Sequence, residues 1–172
     1  MLNLENFSKD QLHKIMLELL FSFNYMSILM EDWVKQHCPK KMLTQDFKQI
    51  YEAFAIFEAK RIEKTLSQPN SDELERVMQF IKHSHWCAFE HIELEKVSEN
   101  QLRMRTHDCS ACKAVKTLGI ELTDCSNTGL KIRQAFVGYV NPNAQVTRVF
   151  SPPDIKDVER PENISCEWLI SI

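Results

Sequence analysis

The placement of glycine and proline limits what the first half of this chain can form. All three glycines, Gly119, Gly129 and Gly138, lie beyond residue 83, and the first 83 residues contain only two prolines, Pro39 and Pro69. Glycine and proline are the residues that most often interrupt regular structure. Since the stretches separated by the two prolines also have helical periodicity, the first half is predicted to be helical.

The first predicted helix has the clearest boundaries. Ser8 followed by Gln11 resembles a capping box at its start, and Cys38-Pro39 disfavours the α conformation, so the helix should end near His37. The apolar arc of this helix is wide, which predicts that it is covered on more than one side and allows a homodimer built from helices 1 and 2. The arc consists of Leu12, Ile15, Met16, Leu19, Leu20, Phe21, Phe23, Met26, Ile28, Leu29, Met30 and Trp33.

Two further helices are predicted in the first half. Thr44 is placed to cap the second helix, which has an apolar face from Phe47 to Ile62. The third helix runs from about Asp72 to Lys82 and carries three acids in its first turn, where the helix dipole favours them.

The periodicity changes after His83 and predicts an α+β second half. Polar and apolar residues alternate from Phe89 to Lys96 and again from Leu102 to Thr106, with a turn at Ser98-Glu99-Asn100, so this segment is predicted to be a β-hairpin. Two short helices (Ser110–Leu118 and Asn127–Val140) and two strands (Gln145–Phe150 and Ile164–Ile172) follow.

The predicted fold class is α+β, with an N-terminal helical layer packed on a small antiparallel sheet with further helices. One domain is expected over residues 1–172, made of a helical half (1–83) and an α+β half (84–172), because 172 residues that are 44% hydrophobic bury one substantial core.

Charge and hydropathy exclude several classes of protein. The 21 basic and 24 acidic side chains give a net charge of -3 and no basic patch, which argues against a nucleic-acid partner. The N-terminus lacks the pattern of a secretory signal. Polar residues also interrupt the most hydrophobic stretch, Ile15 to Met30, so no membrane partner or span is predicted. We therefore expect a cytoplasmic protein whose six cysteines are reduced thiols or metal ligands.

Four of the cysteines are candidates for a metal site. Cys109 and Cys112 stand three apart at the predicted N-terminus of a helix, directly after His107, and Cys125 and Cys166 follow them. If these four thiolates converge, zinc or an iron–sulfur cluster would suit them, and His107 could replace one sulfur. Buried cysteines that act only as small hydrophobic residues are the alternative.

A second reading makes one cysteine a catalytic nucleophile. Cys109 at the start of a helix would have a lowered pKa, with His107 or His91 as its base and Asp108 or Glu90 to orient that base. The tryptophans Trp33, Trp86 and Trp168 also raise the question of a pocket, although aromatic side chains at helical spacing normally belong to the core.

Several short motifs, taken in order, resemble a family of small bacterial and archaeal cytosolic proteins of unknown function. That family is distantly similar to aminothiazoline-carboxylate hydrolase-like and vinyl-reductase-like proteins, and the resemblance implies small-molecule binding with a metal dependence. It covers nearly the whole chain. The motifs are the run from Phe89 to Arg105, His107-Asp108-Cys109, Cys125, Phe136, Asn141-Pro142, Ser151-Pro152-Pro153-Asp154 and Cys166-Glu167-Trp168.

The chain departs from the pattern that this resemblance implies at one position. Members carry a Cys-x-x-Cys just before the Pro-Pro-Asp, where this chain has Arg148-Val149-Phe150-Ser151. Cys112 is an additional cysteine that would compensate, whereas Arg148 would place a positive charge near the thiols.

The leading prediction is a cytosolic small-molecule or metal-binding protein with a cysteine cluster at one end of the sheet. Two alternatives stay open. One is a cysteine- or metal-dependent hydrolase of a small molecule, and the other is a non-catalytic interaction protein.

Overall fold

The fold is described from a computed structural model, which covers residues 7–38, 40–66, 70–120, 125–152 and 161–172. Among the described residues, the first half contains only helices, and the second half contains helices and strands. In chain order the elements are α1 (Lys9–His37), α2 (Lys40–Thr65), α3 (Glu73–Lys82), α4 (His85–Phe89), β1 (His91–Ser98), β2 (Gln101–Asp108), α5 (Ser110–Leu118), α6 (Thr128–Val140), β3 (Gln145–Phe150) and β4 (Cys166–Ser171).

The predicted ends of α1 are confirmed by its capping contacts. Ser8 Oγ accepts a hydrogen bond from the Gln11 backbone amide (3.2 Å), and the Ser8 amide donates to Gln11 Oε1 (2.8 Å). Together these two bonds satisfy two amide donors that a helix start otherwise leaves without partners. The helix ends at His37, and Cys38 is extended.

The prediction that Thr44 caps α2 is wrong, because the helix begins at Lys40, four residues earlier. The residues at 40–43 are lysine, lysine, methionine and leucine, which have high helix propensity. The start of α3 is confirmed, since Asp72 Oδ1 accepts from the Glu75 amide at 2.8 Å.

The short helix α4 was not predicted. Alternation after His83 suggested that Phe89 already belongs to a strand, but residues His85–Phe89 form one helical turn and the strand begins at His91. Five residues are too few to show a helical period. The turn nevertheless has a structural role, because it buries Trp86, which is 6% exposed.

The four strands form one antiparallel sheet in the order β1-β2-β4-β3. The predicted hairpin is confirmed as β1 and β2, and the C-terminal strand β4 inserts between β2 and β3. This order places β4 at the centre, where both of its neighbours bond to it.

The two faces of the sheet differ in chemistry, which explains why the helices cover only one of them. The outer face carries ion pairs, including Arg105 Nε to Glu167 Oε2 at 2.8 Å and Arg103 Nη1 to Glu95 Oε2 at 3.0 Å. The inner face is apolar and buried, and consists of Leu102, Met104, Val146, Phe150, Cys166, Trp168 and Ile170.

Helix α6 lies over this inner face and α2 packs on α6, so the helices form two layers on one side of the sheet. Ala55 and Ala59 of α2 are completely buried, and their small side chains let the two helices approach closely. The predicted α+β class is therefore confirmed. Within the described ranges, no helix combines the length and apolar character needed to cross a bilayer.

Candidate functional site

Cys109 and Cys112 meet at the N-terminus of α5, as their spacing predicted. Cys109 is the residue that precedes the helix and Cys112 lies in its first turn. The two thiols share a hydrogen bond that raises the pKa of Cys109 and lowers the pKa of Cys112. The sequence predicted a lowered pKa for Cys109, but the lowered pKa belongs to Cys112. Its thiolate accepts the bond that the Cys109 thiol donates, and burial further disfavours ionisation of Cys109.

A carboxylate lies at the same helix end. Glu90 Oε1 accepts hydrogen bonds from the Ser110 amide (3.0 Å) and from Ser110 Oγ (2.7 Å). An acid in this position is stabilised by the helix dipole. Burial, and then the charge of Glu90, raise the pKa of Cys87 on α4 to about 11. Cys87 is therefore protonated at neutral pH.

Cys125 and Cys166 lie near this pair. Their charges oppose the ionisation of Cys112, which places all three thiols within electrostatic range of one another. Cys166 is buried on β4, and the indole N–H of Trp168 donates to its sulfur at 3.1 Å. Cys112 is thus within electrostatic range of Cys125 and Cys166, and its thiol bonds to that of Cys109.

His107 does not lie beside these thiols. Because side chains alternate along β2, His107 lies on the outer face of the sheet with Arg103 and Arg105, while Thr106 points into the core. Its Nε2 is 2.8 Å from Glu93 Oε2, and its ring stacks on His91 with 4.7 Å between the ring centroids. The His107 bond lowers the pKa of Glu93.

The metal site predicted from the four cysteines and His107 has no support among the described side chains. Within residues 7–38, 40–66, 70–120, 125–152 and 161–172, no three His, Cys, Asp or Glu side chains are arranged so that they could hold a metal ion.

The most unusual feature next to the thiols is a buried arginine between two tryptophans. Arg133 of α6 is 8% exposed, and its guanidinium carbon lies 4.4 Å from the ring centroid of Trp168 and 5.2 Å from that of Trp86. Trp86 in turn packs edge-on against Phe136. We call Arg133, Trp86 and Trp168 the arginine–tryptophan cluster.

The guanidinium of Arg133 is poorly satisfied. Its Nη1 donates to the Gly129 carbonyl of the same helix at 3.1 Å, whereas its Nε has no hydrogen-bond partner among the described residues. Arginine carries five N–H donors, and no ion pair joins Arg133 to any described carboxylate. A buried charge without a counter-charge costs several kcal/mol, and stacking on the two indoles opposes this cost with about 1–2 kcal/mol for each ring.

Gly129 connects this cluster to the thiols. A β-carbon added at Gly129 would lie 3.3 Å from Arg133 Nη1, 3.5 Å from Trp168 Cζ2 and 3.6 Å from Cys125 Cβ. The guanidinium, an indole and a cysteine therefore converge on one point beside α6. Any side chain at residue 129 would crowd that point.

Sequence reasoning missed Arg133 and assigned Trp86 and Trp168 to the core. One local signal existed, since Gly129 and Arg133 stand four residues apart and so share a helix face. Trp33, the third tryptophan, is 59% exposed on α1 and lies apart from the cluster. Arg148 lies on β3 opposite Trp168, on the inner face of the sheet.

Fold and site together define an α+β protein with a buried arginine next to Gly129 and Cys125. The chain belongs to a family of unknown function, DUF6125, whose model matches residues 6–172. The resemblance to an uncharacterised family is confirmed at this level. The bacterial or archaeal source and the link to aminothiazoline-carboxylate hydrolases have no support. Neither a curated protein nor a solved structure matches the chain.

Proposed function

We propose that the protein binds a small molecule through a carboxylate group, with Arg133 as its anchor and the neighbouring thiols facing the rest of the molecule. The observation that carries this proposal is the buried Arg133, which is 8% exposed and which no described carboxylate neutralises. A ligand that supplies the missing negative charge would remove the main unfavourable term of this cluster.

The chemistry of the cluster favours a carboxylate over other anions. The planar fork of arginine matches the two oxygens of a carboxylate. The one positive charge of Arg133 also balances the one negative charge of a carboxylate. The indole faces of Trp86 and Trp168 already flank the guanidinium, so the ligand must approach along the edge of the guanidinium, where Nε lacks a partner.

Ligand-induced stabilisation tests the proposal. A panel of aliphatic, aromatic and thiol-bearing monocarboxylates is titrated into the wild-type protein, with phosphate as the comparison anion, and the melting temperature and tryptophan fluorescence are recorded. We expect at least one carboxylate to raise the melting temperature in a saturable manner, because it binds the folded state only.

Two arginine variants form a matched pair for this test. Arg133→Met should abolish the stabilisation, whereas Arg105→Met, on the outer face of the sheet and paired with Glu167, should leave it unchanged. The proposal fails if no carboxylate in the panel stabilises the wild type, or if Arg133→Met responds as the wild type does.

Thiol chemistry on the bound molecule is a second candidate, favoured by the lowered pKa of Cys112. In this version of the hydrolase hypothesis Cys112 takes the role of nucleophile, since the pKa of Cys109 is raised and His107 bonds to Glu93. Cys112→Ser should then retain carboxylate binding but lose turnover of an activated ester or thioester. Equal turnover by Cys112→Ser and wild type would exclude this role.

A further inference from the structure

One side of α1 presents a long apolar stripe to solvent. Six of its residues are 50–65% exposed although all are large and apolar, and Ile15 and Leu29 beside them are 37% and 46% exposed. The six residues, which we call the α1 stripe, are Met16, Leu19, Phe23, Met26, Met30 and Trp33.

The spacing within the α1 stripe is that of a helix-pairing surface. Successive members are three, four, three, four and three residues apart, which is the 3.5-residue repeat with which one helix packs its side chains between those of another. Exposed apolar residues that occur singly need no explanation, but a continuous repeat over five turns does.

The other side of α1 already has its partners within the chain. This helix packs on α4 and α5. Its one buried residue, Glu31, accepts a hydrogen bond from the Tyr51 hydroxyl of α2 at 2.5 Å and pairs with Lys35. Turning the α1 stripe inward would break the bond between Tyr51 and Glu31. These contacts therefore hold the stripe on the exposed side of α1.

The exposed area suits a stable dimer. Eight side chains with full areas of about 150–250 Å² each, exposed by roughly half, present on the order of 800 Å² of apolar surface. A monomer's largest apolar patch is about 300–600 Å², whereas a standard interface buries about 800 Å² per partner. The α1 stripe together with Ile15 and Leu29 thus supplies the area that one side of a specific dimer needs.

We propose that α1 of one copy packs antiparallel against α1 of a second copy through the α1 stripe, about a two-fold axis near Asn24 and Tyr25. The 3-4-3-4-3 spacing reads the same in both directions, so an antiparallel partner is in register with it. This pairing places Trp33 opposite Met16, Leu19 opposite Met30 and Phe23 opposite Met26.

The composition of these layers favours the antiparallel arrangement over a parallel one. Each antiparallel layer combines one larger or stiffer side chain with a methionine, which is unbranched and fills irregular gaps. A parallel pair would instead bring Trp33 against its own copy at one layer and leave paired methionines at three others. The most common symmetry of homo-oligomers is also the two-fold axis.

The charges of α1 favour a protein over a membrane surface as the occupant. Helices that lie on membranes carry mainly lysine and arginine on their polar face. Here Lys9 and Lys14 alternate with Asp10 and Glu18, and Asp32 stands close to Lys35. The mixed signs give no net attraction to anionic lipid.

The mass of the full chain in solution tests the proposal, with sedimentation equilibrium as the method. The wild type should be dimeric at micromolar concentration. Leu19→Glu should weaken the dimer by at least about 100-fold, because each dimer would bury two unpaired carboxylates. Leu19 is 65% exposed in one copy, so this variant should keep the wild-type circular dichroism and melting temperature at monomer concentrations.

Lys14→Glu is the matched control, since it introduces the same side chain at an exposed position of α1 outside the stripe, and it should remain dimeric. A monomeric wild type at 100 or so micromolar would overturn the proposal, and so would a Leu19→Glu variant as dimeric as the wild type. A monomer that instead binds lipid vesicles through the stripe would assign this surface to a membrane.

Disulfide trapping tests the direction of the helices. Phe23→Cys and Met26→Cys chains, mixed and oxidised, should form a cross-link between one chain of each kind faster than either variant does alone. Efficient cross-linking of each variant to itself would mean a parallel pair and would overturn the antiparallel arrangement. None of these outcomes depends on the ligand proposed above.

Discussion

Replacing Arg133 with methionine separates a ligand anchor from a structural arginine. Methionine has a similar length, packs well against indole rings and carries no charge. The substitution therefore removes the buried guanidinium of the arginine–tryptophan cluster without opening a large cavity. The quantity to measure is the free energy of unfolding of the ligand-free protein.

The expected change is small because opposing terms nearly cancel. Stacking on Trp86 and Trp168, with 5.2 and 4.4 Å to the ring centroids, contributes about 1–2 kcal/mol for each ring. The hydrogen bond to Gly129 adds about 1 kcal/mol. Against these, the buried charge without a counter-charge costs several kcal/mol. We expect Arg133→Met to change the free energy of unfolding by less than about 1 kcal/mol, in either direction.

Urea denaturation of the ligand-free protein measures this change. The control is Phe136→Ala, also on α6 and completely buried, which should lose about 3–5 kcal/mol through the cavity that it leaves. A loss above about 3 kcal/mol for Arg133→Met is what breaking a buried ion pair produces. That result would refute the reasoning, because Arg133 would then have a structural partner within the protein and would not serve as a ligand anchor.

Three further predictions follow from single residues. Gly119→Ala should lower the free energy of unfolding by about 1–2 kcal/mol in urea denaturation, because the backbone φ of +68° is left-handed and strains any residue with a β-carbon. Gly138→Ala, inside α6 with open space around it, should instead leave that free energy unchanged or raise it by up to about 1 kcal/mol. Asp72→Ala should lower the stability of the protein by about 1 kcal/mol, because it removes the N-cap of α3, whereas Asp72→Asn should retain most of this capping energy. Thermal melts measure both changes. Alkylation followed by mass-spectrometric mapping should show Cys112 reacting faster than a peptide thiol below pH 8, because its lowered pKa leaves more thiolate. Cys87 should remain unmodified until the pH approaches its pKa of about 11. Preferential labelling of Cys87 at pH 7 would contradict both pKa directions.

The elements that local residues specify were predicted well. The capping box at Ser8 and the alternation of β1 and β2 both depend on neighbours within a few positions, so a linear pattern contains them. The errors arose where local signals compete or are too short. Thr44 suits a cap, but the residues before it already favour a helix, and α4 is a single turn.

The candidate site was predictable only in part, for the same reason. Cys109 and Cys112 were expected to meet because three residues separate them on one helix turn. His107 was grouped with them because it is close in sequence, but alternation along β2 turns its side chain to the opposite face of the sheet. Strand periodicity alone could have predicted this, since residues two apart on a strand share a face, and His107 lies two and four residues after Arg105 and Arg103.

The sequence by itself determined the helical first half, the hairpin, the α+β class and the apolar stripe of α1, because each depends on periodicity along one element. Only the tertiary structure decided that Arg133 is buried between Trp86 and Trp168. These residues come from α6, α4 and β4, and the insertion of β4 between β2 and β3 brings them together. Contacts between distant segments depend on how layers pack, and the cost of a buried charge becomes visible only after that packing is known.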